Sequence, residues 1–151
     1  MSSFILILHS LFRWLVVIAA LAAAVRAFAG LSGRLTWTRL DDRLGFFYTL
    51  ALDVQVLIGV LLYVFSPLIH QALADLGAAV KDGATLFFTL FHWLLVLVAV
   101  ALAHIGRRRA RKASGDAARF RTAALFFGLS ILVLLVAIPW PFDFGRPLLR
   151  F

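Results

Sequence analysis

The chain has 151 residues, is 64% hydrophobic and carries a formal net charge of +8. Ordinary water-soluble domains are not this apolar. The absence of cysteine excludes disulfides, thiol catalysis, haem attachment through C-x-x-C-H and iron–sulfur ligation.

Four apolar runs, at about 4–28, 44–66, 84–106 and 122–140, each reach the roughly 20 residues needed to cross about 30 Å of hydrocarbon. They leave three short connections and a tail. An all-α, integral membrane four-helix bundle is therefore expected, up-down-up-down, as a single domain over residues 1–151. Ser2 or Ser3 is the expected cap of the first helix. Ala27-Phe28-Ala29 before Gly30 resembles a signal-peptide cleavage site. No basic residue precedes the apolar run, however, and the run is too long for an h-region, so a retained helix is expected.

Gly30, Ser32 and Gly33 end the first helix. The second reads as Leu44 to Phe65, stopped by Ser66-Pro67. Residues 68–83, with His70 and Asp75, read as a mildly amphipathic connection forming a short interfacial helix. Asp82 or Gly83 opens the third helix, which runs into the basic block at Arg107. Residues 113–121 form a turn into the fourth, which Pro139-Trp140-Pro141-Phe142 terminates. Trp140 and Tyr63 suit one aromatic belt and Trp37 the other.

The charge is unevenly placed. Arg26, Arg34, Arg39 and Arg43 surround the first connection, and Arg107, Arg108, Arg109, Arg111, Lys112, Arg119 and Arg121 fill the third. Only Lys81, Arg146 and Arg150 fall in the second connection and the tail. The positive-inside rule then puts the first and third connections in the cytoplasm and both termini outside. Anionic lipid, not nucleic acid, is the expected partner of these residues.

Ionisable residues inside apolar spans are costly and point to function. Those here are His9, Arg13, Asp53, His92 and, at the edge, His104, with Gln55 as an uncharged companion. Counted from the outer helix ends, His9 lies about 8–10 Å deep and His92 about 12 Å, on the first and third helices, which are diagonal in such a bundle. Two imidazoles at one level on opposite walls suit the two axial positions of haem b. Gly59, at a similar depth, leaves room for the macrocycle, with Phe12, Phe87, Phe88 and Phe91 packed around it. Arg13, one turn below His9, pairs with a haem propionate or with Asp53. Asp53 and Gln55, near the midplane, mark a quinone or proton route. His104 reads as an interfacial residue with no histidine at its level, and His70 as a solvated one.

The stretch LFRWL at 11–15 returns as LFHWL at 90–94, aligning Arg13 with His92 and His9 with Phe88. Parallel repeats about the membrane normal are one source of such an echo. HSLFRWL at 9–15, LDVQVLIGVLLYVFSP at 52–67, HIGRRRARK at 104–112 and IPWPF at 138–142 resemble small bacterial four-helix membrane proteins labelled cytochrome b or cytochrome b561-like. The resemblance implies a haem-b electron carrier of the bacterial inner membrane, exchanging electrons with quinone or a redox partner subunit. By position it carries the ligand role onto His9 and His92. Cytochrome b561 proteins proper hold two haems on four histidines, whereas this chain supports one.

The expected function is thus a one-haem membrane cytochrome b, acting as an electron-transfer protein or a quinone oxidoreductase subunit, with homo-oligomerisation open. The alternatives are a cofactor-free structural or assembly subunit, held by an Arg13–Asp53 pair, and a small transporter or proton channel in which Asp53 lines a wet cavity.

Overall fold

The computed structural model describes residues 2–140. Pro141 and Phe142 of the expected terminating turn, and Arg146 and Arg150, lie outside the described residues. Four long apolar helices able to cross a membrane account for most of the described chain, which has no strand. They are α1 (Ser2–Gly30), α2 (Arg39–Phe65), α5 (Gly83–Lys112) and α6 (Asp116–Ala137). Two short helices, α3 (Pro67–Ala74) and α4 (Leu76–Ala79), occupy the connection between α2 and α5, where one was expected.

Three helices exceed their sequence-based bounds at the end rich in arginine, here termed the basic end. Helix α2 begins five residues before Leu44, at Arg39, because Thr38 and Asp41 form a capping box. The Thr38 side chain accepts from the Leu40 N–H, and the Asp41 carboxylate accepts from the Thr38 N–H at 2.7 Å. Helix α5 continues through the basic block to Lys112, where cations suit a helix C-terminus. Helix α6 starts at Asp116, after Gly115, whose φ of 82° makes the turn. Helix α1 begins at Ser2, so Ser3 lies within its first turn.

Each long helix packs against two others: α1 on α2 and α6, and α5 on α2 and α6. Helices α1 and α5 are therefore diagonal, as expected. Towards the basic end the interior is rich in small residues, including Ala20, Ala23 and Ala27 of α1, Ala99 and Ala103 of α5, and Ala123 and Ala124 of α6, packed around the buried rings of Tyr48, Phe120 and Phe127. Small side chains let backbones approach closely, which is how helices associate where lipid is as apolar as the core. The outward surface is apolar too. On α1 the exposed Leu8, Leu11, Leu15, Ile18, Leu21, Val25 and Phe28 form a continuous stripe, consistent with contact to a lipid bilayer.

Several buried polar groups in this half are matched, whereas Arg107 Nε is buried without a hydrogen-bond partner, its guanidinium lying over the Phe46 ring. Ser130 Oγ donates to the Ala99 carbonyl at 2.7 Å, so its own proton is committed and the Tyr48 hydroxyl donates to Ser130. This chain ties α2, α6 and α5 together. Arg26 of α1 donates to Asp41 of α2 at 2.8 Å. Trp37 packs on Phe120 and donates to Asp42, so it is anchored in protein contacts as well as lying near the expected belt.

Candidate functional site

At the end opposite the basic residues the helices border a partly open cavity of about 290 Å³. Its lining includes His9, Arg13, Gln55, Gly59, Phe88 and His92. Every residue proposed from sequence to hold a cofactor thus borders one space. The volume lies at the lower edge of the range for small-molecule sites, about 300–1,000 Å³.

His9 and His92 face each other from diagonal helices with ring centroids 6.3 Å apart and planes inclined at 67°. A π-helical turn, Phe87–Phe91, immediately precedes His92. A π turn inserts extra backbone into a helix and changes which face the preceding residues present, and such turns recur at functional sites. No residue pattern in the chain marks this one. The rings of Phe87 and Phe88, within the turn, stand 6.0 and 6.4 Å from the His92 ring. Phe91 points outward and is exposed, so it does not pack around the site as expected. Phe12 packs against the core.

The two imidazoles are held differently. His92 Nδ1 lies 2.8 Å from the Ala137 carbonyl. A carbonyl only accepts, so Nδ1 carries the proton and Nε2 keeps its lone pair. His9 is held by Gln55, whose amide nitrogen donates to the His9 backbone carbonyl at 3.1 Å. The same nitrogen stands 3.3 Å from Nδ1 and 3.2 Å from Nε2. Near-equal distances place the amide over the ring face, because a bond to an in-plane lone pair would bring one ring nitrogen distinctly closer. The in-plane positions of His9 are thereby left open. Gln55 Oε1 is buried without a hydrogen-bond partner. Gly59 lies against the ring edge, where an added Cβ would stand 3.4 Å from His9 Cε1 and 3.6 Å from Trp93. Gly59 therefore brings α2 close to His9 rather than opening a void.

Arg13 borders the cavity, donates to Ser10 Oγ at 3.5 Å and lies over the Trp14 ring. The expected Arg13–Asp53 pair is not formed. Asp53 instead accepts from His104 Nε2 at 2.9 Å. The contact brings His104, expected at the edge, to Asp53, expected near the midplane. The cause is a difference in helix origins. Tyr63, close to the end of α2, donates to the Thr89 carbonyl and packs edge-to-face with Trp93. Thr89 is about 9 Å into α5, so α5 starts well beyond the end of α2 and its residues lie correspondingly shallower than a count from Gly83 suggests. Nor is Asp53 among the residues lining the cavity. His70 donates to the Val64 carbonyl at 2.8 Å on the surface.

Among the described residues no cluster of three or more histidine, aspartate or glutamate side chains is arranged to hold a metal ion. The chain matches no known protein-family model, no curated protein and no solved structure, and nothing in these comparisons links it to cytochrome b561.

Proposed function

We propose that the chain is a membrane b-type cytochrome holding one haem between His9 and His92. It passes electrons between a lipid-soluble quinone and a partner protein in a bacterial inner membrane. One observation carries this reading: two imidazoles on diagonal helices, 6.3 Å apart between centroids, across a largely apolar cavity. With metal–nitrogen bonds of about 2 Å, a linear nitrogen–metal–nitrogen arrangement sets imidazole centroids about 6 Å apart. The proton fixed on His92 Nδ1 supports the assignment, because ligating histidines donate their other N–H to a carbonyl or carboxylate.

Within this reading His9 and His92 would hold the haem iron. Arg13 supplies a cation for an anionic propionate, and Phe88, Val56 and Leu134 are among the walls that exclude water. Haem, when bound, supplies one-electron chemistry. The chain fixes ligand spacing, imidazole protonation and the local charge. The concentration of arginine at the other end supports placing the cavity on the periplasmic side with both termini outside. A site confined to one end requires a quinone, a partner or another chain to carry electrons across the full thickness.

The alternative of a cofactor-free structural subunit is favoured by the Gln55 contact, which gives His9 a packing role without any ligand. Haem content separates the two. Protein purified from cells supplied with haem is expected to carry about one haem per chain. His9→Ala and His92→Ala are each expected to fall below a tenth of that while retaining helical content. A parent chain that folds, yet stays free of haem under those conditions, contradicts the cytochrome reading.

A further inference from the structure

The Asp53–His104 pair lies apart from the cavity, and its two side chains are 47% and 45% exposed. Along α2, Asp53 is about 14 Å from Leu44, the first apolar residue after the charged turns, and about 18 Å from Phe65. The pair therefore stands near the middle of the apolar thickness on the lipid-facing surface. One hydrogen bond joins the two groups. The second carboxylate oxygen and His104 Nδ1 have no hydrogen-bond partner among the described residues, and hydrocarbon offers none. The seam between α2 and α5 is also the least closely packed of the four. Exposed Leu50, Leu57, Leu97 and Ile105 surround it, and Ala101, small and exposed, lies one turn from His104.

We propose that this seam is the contact face for a second copy of the chain. All copies in one membrane insert with the same orientation, so a two-fold axis relating two of them runs along the bilayer normal. Rotation about that axis preserves height and sets the left side of one face against the right side of the other. Asp53 then stands opposite His104 of the partner subunit, and His104 opposite the partner subunit's Asp53. Two half-satisfied pairs become one ring of alternating donors and acceptors, removed from lipid. The face is self-complementary in charge, as an isologous interface requires. Ala101 permits close approach of the backbones. The lipid-facing stripe of α1 has no polar group to offer in this way. The inference goes beyond the cytochrome reading and stands or falls without it.

The chain has no cysteine, so single cysteines report proximity cleanly. In liposomes at high lipid-to-protein ratio, Ala101→Cys is expected to form disulfide-linked dimers at least about ten-fold faster than Ile18→Cys on α1, a difference set by proximity. In the Ala101→Cys background, Asp53→His or His104→Asp alone should slow linking about ten-fold by opposing like groups. The exchanged pair Asp53→His with His104→Asp, which keeps self-complementarity, should restore the rate. Variants are compared at equal helical content. Equal linking at positions 101 and 18 overturns the proposal, as does a rate indifferent to both single replacements. A chain that stays monomeric while a photoreactive lipid-soluble quinone labels the seam assigns it to a small ligand and overturns it too.

Discussion

The half of the bundle towards the basic end and the half around the cavity are built from the same apolar alphabet, yet their interiors differ. In the first, alanines bring the helices together, and the buried polar groups of Tyr48, Ser130 and Asp41 find partners within the protein. In the second, His9, Arg13, Gln55 and His92 surround a space, and Gln55 Oε1 lacks a partner. Packing that fixes helix spacing at one end lets the other end hold polar groups around an opening. The division of labour predicts that the two halves respond oppositely to added bulk and to lost polar groups.

The largest contrast is expected for bulk. A Cβ on Gly106 would already overlap the Phe126 side chain. Gly106→Leu should cost about 3 kcal/mol, whereas Val56→Leu at the cavity wall should cost less than about 1 kcal/mol. Thermal unfolding in detergent measures both, and equal losses would erase the distinction. Next comes the buried hydroxyl chain. Ser130→Ala strands the Tyr48 hydroxyl, an expected loss of about 1–3 kcal/mol, and adding Tyr48→Phe should recover part of it. No recovery would mean that Ser130 acts through packing alone. Asp41→Ala removes both the α2 cap and the α1–α2 ion pair, with an expected loss of about 1–2 kcal/mol.

The smallest effect lies outside the spans. Asp82 caps the start of α5, and hydrogen bonds from Thr85, through its hydroxyl and its backbone N–H, hold the Asp82 carboxyl below its usual value. A depressed folded-state value contributes stability that is present above the unfolded value of about 3.9. That stability is lost as pH falls through the folded value. The difference in thermal midpoint between the parent chain and Asp82→Ala should therefore be seen at pH 7 and fade at pH 3. A difference that grows in acid would contradict the cap.

Sequence patterning was sufficient for the architecture. Four spans, their ring order and the diagonal placement of His9 and His92 follow from apolar length and short connections, because lipid leaves helices few alternatives. What escaped it depends on how helix ends are staggered. Depth counted along α5 placed His104 near the boundary and Asp53 nearer the middle, although the two are in contact. The stagger is set by α3 and α4, whose length in residues says nothing about the height at which α5 begins. The π turn before His92 was equally hidden, since no residue type marks it. The Tyr48–Ser130 contact spans 82 positions, and a lone serine in an apolar run does not announce its partner.

The claim on which the functional account rests is that His9 and His92 share one metal centre. A reduced-minus-oxidised absorption spectrum of the purified protein tests it most directly. The account predicts haem b bands in the parent chain and their loss in both His9→Ala and His92→Ala. A flat difference spectrum from folded protein supplied with haem, or bands that survive both substitutions, would contradict it.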